Sequence, residues 1–144
     1  MKLLFLFPAI LLLLFFSSCK KEDKKNNNCS KTMKDIAGSY SLIKYENAPV
    51  SGSFGEKPVP QCMVGDQLIL KPDGTTQYTD AGVSCGVTAG TGSWSVSVDE
   101  KISIIAGSSL WYVQDATINS FDCSTLVMSI IFPNGSTSRY TLKK

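Results

Sequence analysis

The chain has 144 residues and no histidine, with 14 Lys/Arg against 12 Asp/Glu for a net charge of +2. The missing imidazole removes the commonest general base and the commonest metal ligand, and with them every Ser-His or Cys-His nucleophile within the chain. Charge is unevenly placed: residues 20–34 hold six Lys beside Glu22 and Asp23, whereas residues 35–144 hold seven Lys/Arg and ten Asp/Glu. The folded part is therefore mildly acidic, which argues against nucleic-acid binding, since that needs a basic face on the domain.

In chain order, Lys2 is followed by an apolar run over 3–16, interrupted only by Pro8, and then by Ser17 and Ser18. This is the charged, apolar and small-residue layout of an export signal. The run falls short of the roughly 20 apolar residues a membrane span needs. Phe16-Ser17-Ser18-Cys19 resembles the lipobox of bacterial lipoproteins, with Phe16 in place of the usual Leu. The resemblance implies that residues 1–18 are removed and that Cys19 becomes an acylated N-terminus, carrying palmitate-type chains that hold the protein on a membrane. Two or more chains anchor stably, because each buried methylene contributes ~0.8 kcal/mol. The expected location is the cell envelope, as an outer-membrane lipoprotein.

Residues 19–35 read as the acylated cysteine and a Lys/Asn-rich tether with too few apolar residues to fold alone. Lys20-Lys21-Glu22-Asp23 also resembles the Lys-then-acidic tags of surface-displayed lipoproteins; plain solvated charge explains the same residues.

Residues 36–144 read as one domain, of a size at which a single core suffices. Short β-rich runs separated by turn residues predict strands over 38–45, 67–71, 75–80, 93–98, 101–105, 110–119, 125–132 and 137–142. Pro72-Asp73-Gly74 closes one hairpin, with Pro presetting the turn and Gly supplying the positive φ. In 93–98, Trp94, Val96 and Val98 alternate with serines, the period of a half-buried strand. Asn134-Gly135 is the strongest hairpin signal in the chain. Eight strands with mostly short links predict an all-β fold, an antiparallel eight-stranded up-and-down barrel, with a two-sheet sandwich as the alternative. One connection is long: 47–61 carries three Pro and two Gly, and such loops often serve as lids or binding loops. Bulky apolar residues expected to point inward are Leu68, Leu70, Trp94, Val96, Ile102, Ile104, Tyr112, Met128, Ile130 and Phe132.

The pattern resembles the lipocalin-like domain of small bacterial lipoproteins, within the wider calycin group. Gly38-Ser39-Tyr40 stands where lipocalins open their first strand with Gly-x-Trp, and Gly92-Ser93-Trp94 repeats the signature. Arg139, the only Arg in the chain, lies in the last strand. The resemblance implies that Arg139 packs over Tyr40 and that Tyr40, Trp94 and Arg139 close one end of a barrel. It also implies a loop over the barrel mouth, with Val50 and Phe54 as its ligand-lid residues.

Besides Cys19 there are four cysteines, an even number that in an exported domain implies disulfides. A hairpin centred on Asp73-Gly74 places Cys62 opposite Ser84 or Cys85, which predicts Cys62–Cys85; Cys29–Cys123 follows by elimination. A four-thiolate zinc site lacks the short C-x₂₋₄-C spacing. No G-x-S-x-G or P-loop pattern is present. The acidic residues sit mostly at turns and strand ends; Asp115 alone falls in mid-strand. The expectation is a non-enzymatic protein with no catalytic residue, metal or cofactor. It would bind a small apolar molecule at the barrel mouth or, alternatively, act as a structural or protein-interaction lipoprotein with a barrel filled by its own side chains.

Overall fold

The structure, a computed structural model, describes residues 29–82, 89–106 and 111–144. The export signal, Cys19, most of the tether and Cys85 lie outside the described residues. A short helix α1 (Met33–Ile36) precedes nine strands: β1 (Gly38–Ala48), β2 (Gly55–Lys57), β3 (Gln67–Leu70), β4 (Thr75–Thr79), β5 (Gly90–Val96), β6 (Lys101–Ala106), β7 (Tyr112–Phe121), β8 (Thr125–Ile131) and β9 (Thr137–Lys143).

All pairings are antiparallel. From β3 to β9 each strand pairs with the next in sequence, and β1 pairs with both β3 and β9. Eight strands thus close a hydrogen-bonded ring, the up-and-down barrel, which leaves no long sheet edge exposed. β2 is an addition: it pairs with Tyr45, Glu46 and Asn47 of β1, beyond the point where β3 stops. Its three residues, Gly-Glu-Lys, are all exposed and carry no apolar alternation, so the sequence pattern hides it within the long connection.

The eight predicted strands are all present, with ends moved by a few residues. The β3–β4 hairpin pairs Gln67 with Thr79 and Leu70 with Thr76, the register expected from a turn at Asp73-Gly74. Gly74 has φ +85°, a conformation L side chains adopt at a cost, and Asp73 steadies the turn by accepting from the Thr75 N–H at 2.9 Å.

Alternation sends one face of each strand inward. Tyr40, Leu68, Leu70, Tyr78, Trp94, Ile102, Ile104, Ile118, Leu126, Met128 and Leu142 are all buried in one core. Gly92 has no side chain for a physical reason: a Cβ there would overlap the Ile105 carbonyl oxygen. That gap also lets the buried Thr76 hydroxyl reach across β5 and donate to the Ile105 carbonyl at 2.9 Å.

Two of the residues expected inside are not. Tyr112 is 60% exposed and Phe132, beyond the end of β8, is 37% exposed. The cause for Tyr112 is a β-bulge. Ile102 faces Ala116 but Ile104 faces Val113, so β7 carries an extra residue between them. Asp115 takes the bulge at φ +50°, and its N–H donates to the Ser103 hydroxyl at 3.0 Å. Asp tolerates the left-handed region better than most residues, which explains an acidic residue in mid-strand. Counting by twos across the bulge turns Tyr112 inward; in the structure Trp111 and Val113 take the inside.

The ordered domain also begins earlier than residue 36. Residues 29–35, read from the sequence as tether, pack onto the barrel. Thr32 caps α1 by accepting from the Asp35 N–H at 3.3 Å, and Ile36 is fully buried. Lys31 pairs with Glu100 and donates to the Ile118 carbonyl at 2.9 Å. Cys29 is disulfide-bonded to Cys123, with Cα atoms 5.5 Å apart.

Candidate functional site

The two ends of the barrel differ. At one end lie α1, the Lys71–Gly74 turn, the turn before β6 and the turn holding Cys123. At the other lie the 49–66 connection, the start of β7 and the Phe132–Gly135 turn.

The first end is closed. The Tyr40 hydroxyl donates to the Ile36 carbonyl, tying α1 across the barrel floor. Trp94 donates its indole N–H to the Lys71 carbonyl at 2.7 Å. The Lys144 ammonium sits 5.5 Å from the Tyr40 ring and 5.2 Å from Phe121, and donates to the Asp35 carbonyl at 2.9 Å. Tyr40 and Trp94 both lie at this end, but Arg139 does not join them. The reason is strand direction: β9 starts at the mouth, so Arg139 pairs with Glu46, while Lys143 pairs with Ser41. Only the C-terminal lysines reach the level of Tyr40. Arg139 instead lies 3.5 Å from the centre of the Phe54 ring and 3.6 Å from the Glu46 carboxylate.

The second end holds a partly open cavity of about 310 Å³. Its floor is Leu42, Val113 and Ile130, and one wall is the Tyr45–Tyr140 pair, whose rings stack with centroids 5.3 Å apart. Trp111 lines the cavity from the start of β7, and Pro60 and Met63 come from the long connection. Beside the tyrosines, the buried Ser138 hydroxyl lies 3.2 Å from the Tyr45 hydroxyl and accepts from the Asn47 amide at 3.2 Å. Burial raises the Tyr140 phenol above its ordinary pKa, and the neighbouring Tyr45 adds to the effect. Among the described residues, none that lines it carries a charge.

Trp111 differs from Trp94 in one respect. It is only 3% exposed, yet its indole N–H has no hydrogen-bond partner among the described residues. Buried donors are nearly always paired, so each exception calls for a reason.

The lid residues named from the sequence resemblance are elsewhere. Phe54 packs against Arg139, whose β9 neighbour Tyr140 is the residue facing the cavity, so alternation puts the Phe54–Arg139 contact on the outer wall. Val50 is 69% exposed and lies beside Gly135. Pro60 and Met63 cover the cavity instead. Cys62, between them, is disulfide-bonded, while its expected partner Cys85 lies outside the described residues.

Sequence reasoning missed two polar groups. Trp111 was hidden by the bulge at Asp115. Asp66, taken for a turn residue, is 5% exposed. It accepts from the Tyr78 hydroxyl, and from the Ala81 N–H at 2.9 Å. This pair fixes the mouth end of the β3–β4 hairpin. Burial first, and then the Asp66 hydrogen bond, push the Tyr78 phenol well above its usual pKa.

No protein-family model, curated protein or solved structure matches this chain.

Proposed function

We propose that this is a membrane-anchored, non-enzymatic lipoprotein whose lipocalin-like barrel binds a small, mainly apolar molecule at its mouth. The observation that carries the reading is the 310 Å³ cavity: it is lined by apolar and aromatic side chains and lies above a solid core. Its volume falls at the lower end of the range for small-molecule sites, about 300–1,000 Å³. The anchor half of the reading rests on the sequence, on the apolar run over 3–16 and the lipobox-like Phe16-Ser17-Ser18-Cys19. A barrel of eight strands can hold one small ligand or be filled by its own side chains. This one does both, at different heights.

The test is a filled cavity. The full chain in phospholipid nanodiscs is titrated with single-ring and short-chain apolar molecules, with empty nanodiscs subtracted. Binding by wild type and its loss in Ile130→Trp support the reading. Absence of binding across the panel moves the assignment to a protein-interaction lipoprotein, a role that the exposed Tyr112, Ile131 and Phe132 near the mouth would serve. The anchor has its own test: wild type should incorporate labelled palmitate and Cys19→Ala should not. Labelled Cys19→Ala protein would refute the lipobox reading. The preferred location is the outer membrane, and lower protease accessibility of Glu22→Ala/Asp23→Ala on intact cells would extend it to the cell surface.

A further inference from the structure

Exposed apolar side chains gather at one end of the barrel. Of the eight large ones among the described residues, Val50, Val64, Tyr112, Ile131 and Phe132 stand at the mouth, and Ile105 adjoins them as the strand partner of Tyr112. Of the same eight, Val98 alone stands at the floor. The five form a rim. Tyr112 and Phe132 border the cavity, Ile131 is 75% exposed beside Phe132, and Val50 lies against Gly135 in the turn that follows. That turn, from Phe132 to Ser136, carries no charged residue. Single exposed apolar residues need no explanation, but a cluster around a cavity marks a docking surface.

What covers the rim follows from where the chain is held. Nine residues separate Cys19 from Cys29, and Cys29 is stapled to the floor by Cys123. Ten Cα steps span at most about 33–36 Å. A seven-residue strand such as β9 measures about 23 Å. An anchor at Cys19 therefore lets the barrel turn over and lay its mouth on the same bilayer. Because that anchor already keeps the domain at the membrane, a small apolar rim suffices to set its orientation. Five side chains fall well short of the about 20–30 residues per side of a standard protein interface. Tyr112 is also of a type enriched at membrane–water boundaries. We propose that the rim of Val50, Val64, Tyr112, Ile131 and Phe132 docks on the phospholipid surface that holds the anchor, so that the cavity opens toward lipid and receives a ligand that partitions into the bilayer. This assignment rests on the anchor and ligand-binding readings above and adds the source of the ligand.

The two tryptophans report the orientation, since Trp111 lies at the mouth and Trp94 at the floor. The full chain, its acylation at Cys19 scored by mass, is placed in phosphatidylcholine nanodiscs with and without a nitroxide on the lipid headgroup, a short-range quencher. Wild type should lose emission on the nitroxide lipid, and Trp111→Phe, which keeps only Trp94, should lose little. Ile131→Ser/Phe132→Ser should abolish the wild-type loss while acylation persists. Should Trp111→Phe not fold, Trp94→Phe keeps only Trp111 and should show the whole loss. Equal loss from the two tryptophans, or a loss that survives in the rim variant, overturns the docked rim and leaves the anchor standing. Acylated wild type with no loss from either tryptophan also overturns it and gives the rim to a protein partner. A chain without acyl groups overturns the anchor reading and the docked rim together.

Discussion

The two tryptophans of this chain sit at opposite ends of one barrel, in opposite states. Trp94, at the closed end, is packed among large side chains and its N–H is paired with a backbone carbonyl. Trp111, at the mouth, is as deeply buried, but it borders a cavity and its N–H is unpaired. The closed end is overdetermined: a disulfide, a capped helix turn, a Lys–Glu pair and a cation over two aromatic rings all fix the same floor. The mouth has ties of its own, the Cys62 disulfide, Arg139 between Phe54 and Glu46, and the Asp66–Tyr78 pair, but among the described residues it also has one unmet donor. The difference is one of packing: the floor is filled and cross-linked, and the mouth holds the cavity on which the proposed ligand-binding reading rests.

The largest expected effect separates the two tryptophans directly. Trp94→Ala should cost about 3–5 kcal/mol, because it opens a void in a filled core and strands the Lys71 carbonyl. Trp111→Ala should cost less, toward the lower end of that range of about 3–5 kcal/mol, since one flank already borders a cavity and there is no hydrogen bond to lose. Urea unfolding of both variants measures the contrast; equal costs would erase it.

Next comes the staple. Cys29→Ser closes no loop between residues 29 and 123 in the unfolded chain and should cost about 2–4 kcal/mol. It should also leave α1 less protected in hydrogen exchange while Trp111 and its neighbours keep their protection. Loss of protection at the mouth would show that the two ends are coupled.

A smaller effect is expected at the Asp66–Tyr78 pair. Tyr78→Phe removes a donor from a buried carboxylate and should cost about 1–3 kcal/mol at neutral pH. Tyr40→Phe loses a hydrogen bond to a backbone carbonyl, about 1 kcal/mol.

These phenols also set an alkaline limit. Burial raises Tyr40, Tyr78 and Tyr140 above their ordinary value of 10.0. Above that pH the unfolded chain loses phenol protons that the folded chain retains, so stability is fully present below it and falls as pH climbs further. Unfolding midpoints at successive pH values should show this decline, and the Tyr40→Phe/Tyr78→Phe double variant should flatten it. A midpoint that stays level above pH 10 in wild type would contradict the burial of these groups.

Much of this architecture is legible in the sequence because it is local. Turn residues such as Pro72-Asp73-Gly74 and Asn134-Gly135 set hairpin registers, and registers propagate to the next strand. The Cys29–Cys123 pairing follows from the same hairpin by elimination. What the sequence conceals is what one residue can shift. The bulge at Asp115 exchanges Tyr112 for Trp111 and so hides a buried donor that is unpaired among the described residues. Arg139 was assigned to the floor by resemblance, but the direction of β9 carries it to the mouth end, and Lys144 takes its place over Tyr40. A pairing count would have found this, since Ser41 faces Lys143. The cavity itself has no sequence signature, because it depends on how completely the inward side chains fill the barrel at each level.

Xenon binding under pressure tests the contrast between the ends most directly, since the gas enters dry apolar voids and little else. The account predicts xenon at the mouth, between Leu42, Ile130 and Trp111, and none among Tyr40, Leu70 and Trp94. Xenon among the floor residues, or an empty mouth at the same pressure, would contradict it.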